Sequence, residues 1–144
     1  MNSFLLLVED NEDDAFLMTR ALQSAGLNSE HLYRAKDGRE ALDYLLGEGT
    51  FADRERHPLP TLIILDLKLP QISGFEVLAT VRKNIGLHHP IVIVLSSSKH
   101  PTDILKSYEL GANSYVAKPS SLDKLSEFAS LLRAYWLQWN QPAF

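Results

Sequence analysis

Cysteine is absent from the 144 residues, so neither a disulfide nor a thiolate-bound metal is available. No apolar run approaches the roughly 18 residues that a membrane span needs, and the amino end lacks a basic stretch followed by an apolar one. Positive charge is not in excess: 14 Lys and Arg stand against 18 Asp and Glu, a net charge of −4. A sequence-independent grip on nucleic acid requires a basic face, so that class is excluded. Loops of the type Gly-x-Gly-x-x-Gly or Gly-x-x-x-x-Gly-Lys-Ser/Thr are missing, and no repeat is visible. These absences leave one soluble, cytoplasmic domain, residues 1–144, with no membrane or nucleic-acid partner and enough chain to bury a core.

What is present is a rhythm of short apolar runs alternating with amphipathic segments. Residues 61–65, Thr-Leu-Ile-Ile-Leu, are β-prone and show no polar alternation, as expected of a strand buried on both faces of a parallel sheet. Residues 4–8, 31–35, 91–95 and 114–117 supply four further strands. Helices are expected over 15–25, 39–46, 75–83 and 102–110, with a longer last helix capped by Ser120 or Ser121 and reaching about residue 139. Leu17, Met18, Ala21, Leu22 and Ala25 would face inward from the first, and Ala41, Leu42, Leu45 and Leu46 from the second. Gly26, Gly47 and Gly111 follow three of the helices. Residues 47–60, with two glycines, two prolines and four consecutive charged residues, read as an exposed connecting loop. The alternation implies an α/β fold, a doubly wound parallel sheet of the flavodoxin-like order 2-1-3-4-5 with helices on both faces.

In that topology the carboxyl ends of all strands share one edge, where ligands of open α/β sheets bind. The first polar residues after the strands converge there: Glu9 and Asp10, Asp66, Ser96 and Lys118. Several carboxylates at close range cannot all stay ionised without a positive partner. A hard divalent cation with oxygen ligands, Mg²⁺, supplies one. Carboxylate, cation, hydroxyl and ammonium together suit an aspartyl phosphate with Asp66 as nucleophile, since phosphoryl transfer needs mainly alignment and charge neutralisation. Glu12, Asp13 and Asp14 read as a helix start, where negative charge is favoured, rather than as ligands.

Four pieces in order, each after its own strand, carry a family resemblance: Leu7-Val8-Glu9-Asp10-Asn11, Asp66-Leu67-Lys68-Leu69-Pro70 with Gly74, Leu95-Ser96-Ser97, and Gly111-Ala112 through Tyr115 to Lys118-Pro119. The chain resembles the receiver domains of two-component response regulators over about residues 3–135. The resemblance implies that Asp66 accepts a phosphoryl group from a phosphohistidine of a sensor histidine kinase. It also implies that Asp10, Asp66 and the backbone carbonyl of Lys68 ligate Mg²⁺, with Glu9 acting through water. Ser96 would bond a phosphoryl oxygen, Lys118 would pair with another, and Tyr115 would be the aromatic that turns inward with the serine. Ser97 is small, as the family prefers, and the Lys118–Pro119 bond would be cis. Lys68 and Ser98 sit where side chains tune the phosphoryl lifetime. The long loop before the central strand, residues 108–115 and the aromatic tail 135–140 resemble the stand-alone regulators that partner bacterial and cyanobacterial phytochrome kinases, with no output domain expected after the receiver.

A haloacid-dehalogenase-like phosphatase would want an acid two residues after the nucleophile, and Lys68 stands there. A degenerate receiver, acting as a phosphorylation-independent protein-binding module, would be expected to lose an acid, the serine or the lysine, and all are present. The chain is thus expected to be a signalling phosphoacceptor rather than an enzyme. The five histidines show no ligand spacing. In the last helix Leu125, Phe128, Leu132, Tyr135 and Trp139 form a stripe at helical spacing. Part of it covers the sheet, and the aromatic remainder points to a homodimer through this helix and the neighbouring edge strand.

Overall fold

A computed structural model describes residues 3–143; residues 1, 2 and 144 of the expected domain lie outside the described residues. The chain runs β1 (Leu5–Val8), α1 (Glu12–Ser24), β2 (Leu32–Ala35), α2 (Gly38–Leu46), β3 (Leu62–Leu65), α3 (Gly74–Lys83), β4 (Ile91–Ser96), α4 (Pro101–Glu109), β5 (Ser114–Ala117) and α5 (Leu122–Ala134). The five strands are parallel in the order β2-β1-β3-β4-β5, the flavodoxin-like winding expected. Val8 lies beside Ala35 and Leu65, Leu65 beside Val94, and Ser96 beside Ala117. This register brings the polar residues after each strand to one edge.

Side-chain alternation splits the core into two layers. Leu6, Val8, Ile63, Leu65, Val92 and Val94 pack with Tyr44 and Leu45 of α2 and Val77, Leu78 and Val81 of α3. Leu5, Leu7, Leu62, Ile64, Ile91 and Ile93 face the other way, against Met18 and Leu22 of α1 and Leu125, Ala129 and Leu132 of α5. Apolar burial on both faces is what holds such a sheet between helices. Among the described residues no helix is long and apolar enough to cross a membrane.

The helices begin where local chemistry favours it. Asn11, Asp37, Ser73 and Ser121 each accept a hydrogen bond from the backbone N–H three residues on, satisfying an otherwise unpaired donor. At α4 the His100 ring accepts from Thr102 N–H, and Pro101 occupies the first helical position. Helix α1 starts at Glu12, three residues before the apolar periodicity, because its first turn is acidic.

The stretch before β3 departs from the exposed loop expected. Residues Gly49–Ala52 form a 3₁₀ turn, and Phe51 and His57 fold back onto Tyr33 and Tyr44. Tyr44 is fully buried, with ring centroids 4.9 Å from Tyr33, 5.1 Å from Phe51 and 5.7 Å from His57. Its hydroxyl donates to the Pro58 carbonyl at 2.8 Å. Arg54 donates to the Tyr44 and Leu45 carbonyls, both at 2.8 Å, capping the end of α2 where the macrodipole favours a cation. Tyr44 thus takes the inward place expected of Leu46, which is exposed; aromatic rings supplied by the loop make that helix face the buried one.

The last helix also differs from the stripe read in the sequence. Its sheet-facing line runs through Leu125, Ala129 and Leu132, and then to Trp136 and Leu137, which pack partly buried on the same layer. After Ala134 the helix widens into a π turn over Tyr135–Trp139, closed by Asn140 N–H donating to the Tyr135 carbonyl. Tyr135 and Trp139 therefore point outward, as does Leu131. The small Ala129 of that line is fully buried. Truncating Tyr44 tests the folded-back excursion. Tyr44→Ala is expected to lose about 3–5 kcal/mol in urea denaturation, and Tyr44→Phe about 1 kcal/mol through the hydroxyl bond; equal, negligible losses would contradict this packing.

Candidate functional site: an acidic edge around Lys118

Asp66 follows β3 and is buried, and Glu9 follows β1 and is also buried, whereas Asp10 is exposed. One carboxylate oxygen from each lies within 4.8 Å of the others. The donor set is all oxygen, with no ring nitrogen or sulfur, which suits a hard divalent cation such as Mg²⁺ or Mn²⁺. The residues present fit such an ion.

Lys118, at the end of β5, closes the site from the opposite side. Its Nζ lies 2.6 Å from Glu9, 3.0 Å from Asp66 and 3.0 Å from Asp14. Burial pushes the Glu9 carboxyl up to about 7, opposed by the hydrogen bond from Lys118 and reinforced by the neighbouring Asp66 charge. Burial alone would lower the Lys118 ammonium, but the bonds to Glu9, Asp66 and Asp14 outweigh it and hold the group above its ordinary range. Asp14 belongs to the first turn of α1, so one of the residues expected only to start a helix reaches into the site. No local signal marks it, because its partner lies 104 residues away in the chain.

Backbone geometry sets the Asp66 carboxylate. The Lys68 amide donates to its Oδ1 at 3.3 Å, and Gly74 N–H donates to the Leu67 carbonyl at 2.9 Å. A Cβ at Gly74 would collide with the Asp66 carbonyl oxygen and come within 2.7 Å of Leu67 Cα, so only glycine fits beneath this loop. Arg34 on β2 adds a further support that sequence reading missed: its Nε donates to the Glu9 carbonyl at 2.9 Å while Nη1 pairs with Glu12 at 3.1 Å.

Ser96 ends β4 fully buried. Its hydroxyl accepts from Ser98 N–H at 3.2 Å. Ser98 in turn donates its own hydroxyl to Asp103 of α4 at 2.7 Å, and its carbonyl accepts the Tyr115 hydroxyl at 2.7 Å. Ser96 and Tyr115 are thus joined through Ser98. The Lys118–Pro119 bond, expected cis, is trans along with every other described peptide; the two forms of an X–Pro bond differ by only about 0.5–1 kcal/mol, so residue type alone does not choose between them. Leu17 is half-exposed rather than inward; with Met18, Leu122 and Leu125 it lines a cavity of about 90 Å³ that Glu9, Asp66 and Lys118 also line.

Residues 5–130 match the family described as response regulator receiver domain. The chain is a response regulator receiver domain. Relatives of this receiver include the response regulator Rcp1 of Synechocystis, 36% identical over 134 residues that cover 93% of this chain and 88% of Rcp1. Another is the probable methanogenesis regulatory protein FilR2 of Methanothrix harundinacea, 37% identical over 95% of this chain and 85% of that protein. Among solved structures, the phosphorylated cyanobacterial phytochrome response regulator RcpA superposes with a TM-score of 0.87 at 35% identity, over all of both chains. Receivers of this type are signalling proteins rather than enzymes.

The raised Glu9 group gives this receiver a pH signature. A carboxyl held above its ordinary value contributes stability that is full below about 4.5 and is lost as pH rises through about 7. In metal-free protein the stability of wild type relative to Glu9→Gln is expected to fall by on the order of 3 kcal/mol across that interval, measured by urea midpoints. A difference that does not change with pH would show that Glu9 is not a desolvated carboxyl.

Proposed function

We propose that this receiver takes a phosphoryl group onto Asp66 from the phosphohistidine of a sensor histidine kinase. The observation that carries the reading is a buried Asp66 carboxylate held 3.0 Å from the Lys118 ammonium at an edge that also presents Glu9 and Asp10. In the transfer, an Asp66 oxygen forms the new P–O bond as the P–N bond to the donor imidazole breaks, and that electron pair returns to the ring nitrogen. The groups that would hold Mg²⁺ are Asp10, Asp66, the Lys68 backbone carbonyl and, through water, Glu9, and the chemistry the ion would supply there is neutralisation of charge on the phosphoryl oxygens. Lys118 gives charge-assisted hydrogen bonds to a phosphoryl oxygen. Ser96 donates its hydroxyl proton to another; because its oxygen also accepts from Ser98 N–H, a shift of that oxygen toward the phosphoryl group would carry to Ser98 and through it to Tyr115 and the start of α4.

The kinase we propose is a bacterial or cyanobacterial phytochrome. Support comes from RcpA, named a phytochrome response regulator and matched over the whole chain. The Synechocystis relative is also known in a Mn²⁺-bound form, a structure 34% identical with a TM-score of 0.85 that covers 97% of this chain and 98% of its own. The protein we envisage is a homodimer. Leu131, Tyr135 and Trp139 form an exposed row of large apolar side chains four residues apart on α5 and its π turn, on the helix that follows the edge strand β5.

Incubation with acetyl phosphate and Mg²⁺ is expected to add one phosphoryl group to the intact mass. The adduct should vanish with EDTA or in Asp66→Asn, and its absence in wild type, together with failure to bind beryllofluoride, would favour a phosphorylation-independent binding module. Light scattering at tens of micromolar is expected to give a dimeric mass that Trp139→Asp reduces to the monomer. A monomeric wild type, with and without phosphorylation, would refute the dimer.

A further inference from the structure

The Lys118 ammonium has three N–H donors, and all three are occupied. Glu9 takes one at 2.6 Å, Asp66 one at 3.0 Å and Asp14 one at 3.0 Å. Transfer makes Asp66 itself the carrier of the phosphoryl group, so the ammonium must re-aim at a phosphoryl oxygen while Glu9 and Asp14 still hold its other two donors. These two are not equivalent. The Glu9 side chain is 5% exposed, while that of Asp14 is 46% exposed. Releasing a buried carboxylate leaves it without solvent or partner, which is costly, whereas a half-exposed one is rehydrated at once.

Asp14 is also placed unusually for its position. An acid at the third residue of a helix commonly turns back to the amide of the capping residue. Here the Asn11 amide is bonded to Glu9 Oε2 at 3.2 Å instead, and Asp14 reaches a lysine 104 residues away. Its own amide is held by the Asn11 side chain at 2.9 Å, which anchors the backbone under this reach.

We propose that Asp14 is a positioning residue, the exchangeable partner of Lys118, which holds the lysine in the unphosphorylated state and is surrendered when a phosphoryl oxygen arrives. Asp14 then competes with the phosphoryl group for one donor, and its presence weakens capture of that group. The inference rests on the phosphoacceptor reading above and assigns to this chain a residue that sets how readily its site is filled.

Beryllofluoride binding, measured by calorimetry on the full chain at saturating Mg²⁺, tests it. Asp14→Ala is expected to bind about fivefold more tightly than wild type, the weight of a partly exposed ion pair. Asp14→Asn, which keeps the shape of the side chain, is expected to shift in the same direction. Asp13→Ala removes the same charge from the same turn at an exposed position and is expected to stay within about twofold of wild type, as for a screened surface charge. Loss of a merely structural contact would loosen binding, so the direction separates the two roles. If neither Asp14 variant binds more tightly than Asp13→Ala, the inference is overturned. Failure of the wild type itself to bind would instead overturn the phosphoacceptor reading.

Discussion

A single ammonium makes this site possible. Two carboxyls, Glu9 and Asp66, are buried at the carboxyl edge of a parallel sheet, and burial works against the charged form of Glu9. Lys118 lies within ion-pair distance of both, and it reaches them because β5 ends in register with β4 at the pair Ser96 and Ala117. The winding order, the two apolar layers and the alignment of strand ends all serve to deliver that one group. Breaking such a pairing by removing one partner is strongly destabilising, on the order of 3–5 kcal/mol, because it leaves a buried charge uncompensated. Metal-free, the edge is an acidic cluster held by lysine; the donor set on its other side is open to a cation.

The path outward from the edge is short and made of named bonds. Ser96 holds the Ser98 amide, and Ser98 holds both Asp103 of α4 and the Tyr115 hydroxyl. A change of one hydrogen bond at the edge therefore has two elements, α4 and β5, waiting on it.

Much of this was legible in the residues. Strands β1, β3 and β4 stand out as continuous Leu, Ile and Val runs, and the polar residues that follow β1, β3 and β5 are ones the fold brings together at one edge, because buried parallel strands tolerate no carboxylate until they end. Winding order followed from the alternation of elements. What escaped reading depends on contacts between distant segments. Nothing local to Asp14 says that it reaches Lys118, and nothing local to Tyr44 says that Phe51 and His57 will return to cover it. The stripe of the last helix was read as one face, but it divides: Leu125 and Leu132 are buried against the sheet, while Tyr135 and Trp139, in the π turn that spacing alone does not foretell, are exposed. The trans Lys118–Pro119 bond lies within an energy gap too small for residue type to decide.

Arg54 has a consequence that reaches past its hydrogen bonds. The carbonyls it caps belong to α2, yet the arginine belongs to the excursion that follows, and the rings of that excursion complete the core beneath the same helix. The helix cannot fray at its carboxyl end without releasing the excursion, and the excursion cannot detach without exposing Tyr44. Helix α2 and the excursion that follows it are thus interlocked, and segments tied together in this way open together in hydrogen exchange.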